Sequence, residues 1–153
     1  MFSFEILDSG LMGPKKAMVK YGYYAKIPFS VQDVVLTDMK VCDYENKHGC
    51  VCIFNNFLYI QHGFIYDLCS GPTFDGLRIF SKKDWFARAS CIHDAMCFLW
   101  TQEAIFGEEI FDRHLNDDWY YENLLKAGCW KPRAIIHRAA VKAYSSMMRS
   151  KYF

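Results

Sequence analysis

The chain has 153 residues, of which 52% are hydrophobic and 18% aromatic, and its formal net charge is +1. This length suits a single domain, which can bury roughly 68–70% of the surface of the unfolded chain, and the composition excludes a disordered protein. Because 18 basic residues are balanced by 17 acidic ones, no strong positive field is available to attract a phosphate backbone. We therefore expect one domain over 1–153 and no nucleic-acid partner.

Two features bear on targeting and redox state. No apolar run approaches the ~18 residues that a membrane-spanning helix needs, and the first stretch, MFSFEILDSG, lacks the basic and apolar regions of a signal peptide. The sequence thus predicts no transmembrane segment and no secretion by a signal peptide. The seven cysteines are odd in number and scattered, which favours reduced thiols over a disulfide framework.

Strand signals dominate residues 1–66. Residues 31–41 alternate and are rich in Val, and residues 50–59 are aromatic and β-branched. The NKHG stretch at 46–49 is a turn candidate for a hairpin between these two runs. Residues 66–76, YDLCSGPTFDG, contain several turn formers and predict a loop, which is where functional sites concentrate.

Helical periodicity dominates the second half of the chain. Apolar residues recur at helical spacing over three segments, which are about 82–100, 108–127 and 132–150. Ser81 is a candidate N-cap for the first helix, Gly107 separates the first two, Gly128 suits the C′ position of the second, and Pro132 suits the start of the third. The predicted fold is therefore α+β, with a small N-terminal antiparallel β region followed by three helices.

The stretch SCIHDAMCF at 90–98 places His93 and Asp94 side by side in an apolar helix. Adjacent helical residues project about 100° apart, so the two side chains are expected to point at different targets rather than at each other. That geometry suits an imidazole that acts as a general base on water, beside a carboxylate that reaches a divalent cation held against a loop. His93 is thus a candidate catalytic base and Asp94 a candidate metal ligand.

A catalytic imidazole needs an acceptor on its second nitrogen, which is normally a carboxylate from another part of the fold. The second predicted helix and the residues just before it offer several acids: Glu108, Glu109, Asp112, Asp117 and Asp118. The short connection through Gly107 makes close packing of the two helices plausible on geometric grounds. Spacing alone does not choose among the acids.

Other interpretations of the same residues stay open. Two sets contain residue types that bind zinc, namely Cys91, His93 and Cys97, and His48, Cys50 and Cys52. Of the first set only His93 and Cys97 share a helix face, and the second lacks an evident fourth ligand. His93 and Cys97, at i and i+4, also fit a Cys–His nucleophile, although buried thiols are more often inert. Finally, His93 fits a core histidine paired with a structural acid.

The order of motifs resembles a phage and prophage family, Domain of Unknown Function 1353. In that family a segment GF-x-T-D-G-x-S-x-P precedes a helix with HD, and then a helix with R-x-x-x-D that ends at a Gly. The residues that match lie within roughly 58–145, and they are Gly63, Phe64, Asp67, Ser70, Pro72, His93, Asp94, Arg113, Asp117 and Gly128. The chain departs from the family at Leu68, where the family has Gly, and at Cys97, where it usually has an aromatic residue.

The family pattern is in turn similar to the phospholipase A2 arrangement, in which HD lies on a helix behind a calcium-binding loop. This resemblance implies that His93 is the base, that Asp94 binds calcium and that Asp117 orients the histidine. We therefore predict a hydrogen bond between His93 and Asp117, with Asp112 as the reserve partner. Asp67, Ser70 and Arg113 would support the site, and they complete the candidate residues. We expect the Asp67 carboxylate to accept backbone N–H groups or to pair with Arg88 or Arg113.

The resemblance implies a phage-type, calcium-dependent hydrolase of an ester or phospholipid, located in the host cytoplasm or in the virion. The competing hypothesis is a protein without enzymatic activity, such as a virion component or a protein that binds a phage or host protein. In that case the HD pair would be structural, and the many aromatic side chains would serve an interface.

Overall fold

The structure, a computed structural model, describes residues 2–7, 16–34, 43–44, 47–48, 51–67 and 84–153. The strands in these ranges are β1 (Phe4–Ile6), β2 (Lys16–Val19), β3 (Tyr23–Lys26), β4 (Asp43–Tyr44), β5 (Lys47–His48), β6 (Val51–Phe54), β7 (Phe57–Ile60) and β8 (Ile65–Asp67). The helices are α1 (Asp84–Ala104), α2 (Arg113–Lys126) and α3 (Lys131–Tyr152). Strands in the first half and helices in the second confirm the predicted α+β fold.

The strands form two small antiparallel sheets and a short ribbon. One sheet has the order β1-β2-β8, the other has the order β3-β7-β6, and β4 pairs with β5. In the first sheet Ala17 of β2 lies opposite Tyr66 of β8, and in the second Ile53 of β6 lies opposite Leu58 of β7. These four residues are buried, so each sheet turns one face towards the core.

The tight turn between β6 and β7 differs from the prediction. Residues 50–59 were expected to form one strand run, but the chain reverses at Asn55 and Asn56, whose φ angles are 51° and 64°. Asn tolerates this left-handed conformation, and two such residues in succession suit a two-residue hairpin. The Asn56 amide also donates to the carbonyl of Ile27 at 2.6 Å. The feature of the sequence that indicates this hairpin is therefore the pair Asn55 and Asn56.

The predicted turn at 46–49 is wrong in its placement. Lys47–His48 are strand residues that pair with Asp43–Tyr44, so these two residues of the predicted turn belong to a strand. Of the predicted strand run at 31–41, the structure describes residues up to 34, and Val34 makes an isolated antiparallel bridge to Ile53. The rest of that run lies outside the described residues.

Glycines end the first two helices in the way the sequence indicates. After α1, the N–H of Glu108 bonds to the carbonyl of Glu103 and the N–H of Gly107 bonds to that of Ala104. After α2, the N–H of Cys129 bonds to the carbonyl of Leu124, and Gly128 follows the same pattern. Gly107 and Gly128 have φ angles of 84° and 95°, as the Schellman motif requires.

Helix starts were predicted less well than helix ends. The second helix begins at Arg113 rather than near 108, because the Asp112 carboxylate caps it by accepting the backbone N–H of His114 at 2.9 Å. Pro132 lies in the first turn of α3, as expected. The predicted N-cap Ser81 lies outside the described residues.

Buried residues of the sheets and of all three helices belong to one hydrophobic cluster. Its large, fully buried members include Ile60 and Tyr66 from the strands, Met96 and Trp100 from α1, and Leu124 from α2. The apolar positions of α1 occur on more than one side of that helix, so it packs against both strands and α2. In the described part of the chain, no helix combines the length and apolarity that crossing a membrane requires.

Candidate functional site

His93 and Asp117 meet between α1 and α2. His93 Nε2 lies 2.7 Å from Asp117 Oδ1, within the 2.6–3.2 Å range expected of a hydrogen-bonded pair. Both side chains are buried, with 4% and 0% of their surface exposed. Because an ionised carboxylate can only accept, Nε2 carries the hydrogen and Nδ1 is the nitrogen that remains for other partners. The predicted contact is therefore present.

The other acids offered by the sequence have different partners. Asp112 is exposed and caps α2, so it is not the partner of His93. Glu109 accepts from Arg149 at 3.0 Å, and Asp118 lies 2.9 Å from the ammonium of Lys142. The structure thus chooses Asp117 from the candidates that spacing left open.

Asp94 lies closer to His93 than its position on the helix predicts. Its Oδ1 is 3.9 Å from His93 Nδ1, and its side chain is 17% exposed. The expectation that the two side chains point apart is wrong, because the 100° angle separates the Cα–Cβ directions and leaves the outer atoms free to bend together. Asp94 therefore acts on the charge of the imidazole directly.

Opposing effects act on the pKa of His93. Burial lowers it, whereas the electrostatic effect of Cys97 and hydrogen bonds to Asp117, Asp94 and Cys97 raise it. The balance holds the pKa of His93 well above its usual 6.5. The imidazolium form is consequently favoured at neutral pH.

The Cys97 thiol belongs to this site, although the comparison with the family motifs identified Cys97 only as a departure from the family pattern. Arg113 Nη2 donates to its Sγ at 3.3 Å, and Asn116 Nδ2 does so at 3.6 Å. The same Sγ lies 3.8 Å from His93 Nδ1 and 3.9 Å from Nε2. The i, i+4 spacing of His93 and Cys97 in the sequence indicated two members of this cluster. Sequence reasoning missed Asn116, which lies three residues after Arg113 on α2.

Arg113 is buried, with 2% of its surface exposed, and it connects all three helices. Its Nε donates to Ser145 Oγ on α3 at 3.2 Å, and its guanidinium carbon lies 4.7 Å from the ring centre of Trp100 and 5.8 Å from that of Tyr144. In the part of the chain that the structure describes, no carboxylate pairs with Arg113. The contacts through which Arg113 would support the site are therefore made to Cys97 and to α3.

The remaining support residues cannot be placed in the same way. The side chain of Asp67, and the whole of Ser70, lie outside the described residues, so the expected ion pairs of Asp67 stay predictions. Arg88, one of its two expected partners, donates to the Tyr23 hydroxyl at 3.3 Å.

The candidate zinc sets find no support where the structure describes them. Within the described ranges, no group of three or more His, Cys, Asp or Glu side chains is arranged to hold a metal ion. Cys91 is fully buried, away from the face that His93 and Cys97 share, and the side chains of His48 and Cys50 lie outside the described set. Four cysteines are described, and each is a free thiol: Cys52, Cys91, Cys97 and Cys129.

Comparison with known proteins finds no match, because neither a protein-family model, nor a curated protein, nor a solved structure is significantly similar to this chain. The resemblance to Domain of Unknown Function 1353, and through it to phospholipase A2, therefore stays a prediction from the motifs.

Proposed function

We propose that the chain is a hydrolase of carboxylic esters, with phospholipids as the leading substrate class. The observation that carries the proposal is the buried contact of 2.7 Å between His93 Nε2 and Asp117 Oδ1. A carboxylate held against one imidazole nitrogen fixes the tautomer and the orientation of the ring, as acyl-transfer sites require. The second nitrogen, Nδ1, is then the proton-transfer atom.

The proposed reaction uses His93 for both proton transfers. As the neutral base, Nδ1 takes a proton when the nucleophile attacks the acyl carbon, and it returns this proton to the leaving alkoxide when the tetrahedral intermediate collapses. Asp117 accepts the Nε2–H bond throughout and stabilises the imidazolium that forms. Since the pKa of His93 lies well above 6.5, the fraction of neutral base, and with it the rate through this route, increases as the pH rises above neutrality.

Calcium binding by Asp94 remains a separate prediction. Calcium takes 6–8 oxygen ligands, and of the two carboxylates beside His93 that of Asp117 is used by Nε2, which leaves Asp94 as the one candidate ligand among the described residues there. The other oxygens would have to come from the predicted loop at 66–76, most of which lies outside the described residues. No step of the proposed reaction is derived from calcium, and a calorimetric titration of wild type and Asp94→Asn with calcium tests the prediction directly.

The second candidate is a phage-type protein that binds another protein without catalysis. Tyr24 on β3 and Tyr59 on β7 lie opposite each other with ring centres 6.2 Å apart, and they are 65% and 40% exposed. The Phe57 ring lies tilted against both rings, with its centre 6.3 Å from each. Exposed aromatic side chains are enriched in protein interfaces, and the buried His93–Asp117 pair would then serve only to hold α1 and α2 together.

Replacement of Asp117 with Asn tests the proposed hydrolase. Asn keeps the shape of the side chain but cannot hold the same tautomer, so we expect hydrolysis of p-nitrophenyl esters and of mixed phospholipid micelles to fall by roughly 10²–10⁴-fold. The matched control is Asp112→Asn, because this exposed residue caps α2 and Asn is an equally good N-cap.

The two variants also separate the candidates. Equal activity in wild type and Asp117→Asn, or no activity in wild type, would contradict the hydrolase. If Asp117→Asn then lowers the free energy of unfolding while Asp112→Asn does not, the pair is structural and the protein-binding candidate gains support.

A further inference from the structure

The surroundings of Cys97 differ from those of a thiol that merely packs. Its Sγ receives hydrogen bonds from Arg113 Nη2 and Asn116 Nδ2, and both donor side chains are almost completely buried, at 2% and 1% exposure. Cys97 itself is only partly buried. Buried donors directed at the sulphur of a partly exposed cysteine suit a site that stabilises negative charge there.

Two further features support a charged sulphur rather than a neutral one. In the described part of the chain, no carboxylate pairs with the buried Arg113 guanidinium, and Cys97 Sγ accepts a hydrogen bond from its Nη2. Leaving a buried cation without a counter-charge costs several kcal/mol or more. Asn116 is held with its Nδ2 between Cys97 and the backbone carbonyl of His93, while its Oδ1 is buried and without a hydrogen-bond partner among the described residues. Its donor side is therefore the one that the site uses.

The position of the sulphur relative to the imidazole adds a charge–charge contact. Sγ is almost equally distant from the two ring nitrogens of His93, at 3.8 Å and 3.9 Å, so it lies on the axis of neither N–H bond. The contact is accordingly electrostatic, and Nδ1, which also lies 3.9 Å from Asp94 Oδ1, is not tied to the sulphur.

We propose that Cys97, rather than water, is the nucleophile of this site and that it carries the acyl group of an ester substrate as a covalent thioester. This inference rests on the proposed ester hydrolysis but replaces its first step: a thiolate has no proton for a base to take, so His93 enters as the imidazolium and acts first as an acid, then as the base when water attacks the thioester. It assigns to Cys97 the attack on the acyl carbon, to Arg113 and Asn116 the stabilisation of the thiolate, and to His93 the proton transfers.

The reaction balances with the groups that the site contains. The Cys97 thiolate forms a C–S bond to the acyl carbon, the bond from that carbon to the leaving oxygen breaks, and His93 Nδ1 gives its proton to the departing alkoxide. Water then attacks the thioester, neutral His93 takes one of its protons, the carboxylic acid leaves and the thiolate is restored. No oxidant or metal is consumed.

The charged groups that face Cys97 come from two helices. From α1 these are His93 and, through the imidazole, Asp94; from α2 they are Arg113 and, through the same imidazole, Asp117. Of these groups, the guanidinium donates directly to the sulphur.

The first test measures thiol reactivity and needs no substrate. Wild-type protein in EDTA at pH 7 is treated with limiting iodoacetamide, and the alkylation rate of each cysteine is followed by peptide mass spectrometry. The reference within the same molecule is Cys52, which is also partly buried and whose pKa is raised by burial. Because the thiolate is the reactive form, we expect Cys97 to react at least roughly tenfold faster than Cys52. Equal or slower reaction of Cys97 would overturn the proposal.

The role of the guanidinium is tested with Arg113→Met, which keeps much of the packing over Trp100 but removes the charge. We expect the ratio of the Cys97 and Cys52 alkylation rates to fall towards one. If the variant does not fold, the wild-type ratio still decides the matter.

The second test uses p-nitrophenyl acetate with an acid quench. We expect an acetyl group on Cys97 in wild type, and loss of turnover in Cys97→Ser but not in Cys52→Ser. Acetyl-Cys97 that accumulates without turnover would support the nucleophile and contradict the hydrolase. Turnover that persists unchanged in Cys97→Ser would overturn the nucleophile and leave the hydrolase standing. Neither acetylation nor turnover would contradict both.

Discussion

Two buried histidines respond to pH in opposite directions. His93 has its pKa held well above 6.5 by anionic neighbours that outweigh burial. His137 has its pKa lowered to about 4, first by burial and second by the positive charge of Arg133, and its ring lies edge-on to Tyr120 at 6.3 Å. One residue is therefore charged in the folded protein at neutral pH and the other is neutral.

These shifts predict a maximum in the free energy of unfolding near pH 6.5. Below that pH His137 is protonated in the unfolded chain but stays neutral in the folded protein. The free energy of unfolding therefore falls by roughly 3 kcal/mol as the pH falls from 6.5 towards 4. Above it the folded protein retains the proton on His93, so stability is lost as the pH rises through the folded pKa of His93.

Urea unfolding at a series of pH values checks the prediction. His137→Gln should flatten the acid side of the profile and leave the alkaline side unchanged. His93→Gln should do the reverse, so each variant is the control for the other. An unchanged alkaline side in His93→Gln would show that His93 is not held in its charged form.

At the same scale, the sequence identified the donor and the acceptor of the dyad but not their surroundings. The resemblance to the family motif R-x-x-x-D singled out Asp117, and the structure has it beside His93. Asn116 carried no such signal, because an Asn on a helix is as often a solvated residue as a buried donor. The use of Arg113 by Cys97 was also not predictable, since it depends on how α1 and α2 are rotated about their axes.

At the scale of the elements, Gly128 is the residue on which the end of α2 depends. Its φ angle is 95°, and a Cβ added there would meet nothing within 4 Å, so any penalty for a side chain arises from the backbone alone. We expect Gly128→Ala to lower the free energy of unfolding by about 1–2 kcal/mol, which is the cost of a left-handed conformation for an L-residue.

Gly22 provides the matched control. A Cβ there would lie 3.8 Å from the carbonyl oxygen of Ile60, which is ordinary contact, and its φ angle is not positive. Gly22→Ala should therefore be neutral or slightly stabilising, since Ala restricts the unfolded chain. Equal effects of the two substitutions in a denaturant series would show that the helix end does not depend on the left-handed residue.

The ends of helices were predictable where the backbone conformation favours one residue type, as at Gly107, Gly128 and Pro132. The start of α2 was placed too early because apolar spacing continues through Ile110 and Phe111, which are buried but precede the Asp112 cap. Helical periodicity does not distinguish a buried segment just before a helix from the helix itself. Ile110 and Phe111 are apolar because they are buried in the fold, not because they belong to a helix.

At the scale of the whole molecule, the sequence predicts a single domain, and the hydrophobic cluster gives that prediction a physical basis. Strand residues such as Ile60 and helix residues such as Trp100 and Leu124 belong to the same cluster. Removal of packing in the sheets should therefore weaken the helices through shared contacts. Two domains with separate cores would not show this coupling.

The tryptophans make the coupling measurable, because all four lie in the second half of the chain, at Trp85, Trp100, Trp119 and Trp130. Ile60→Ala removes a side chain that is 2% exposed in β7, and we expect a loss of about 2–5 kcal/mol. In one cooperative domain the urea midpoint followed by tryptophan fluorescence must fall by the same amount as that followed by circular dichroism. Lys26→Ala, on the exposed face of neighbouring β3, is the control and should shift neither midpoint appreciably. A fluorescence transition that stays at its wild-type midpoint in Ile60→Ala would mean that the helices unfold independently of the sheets, and that the chain contains two domains.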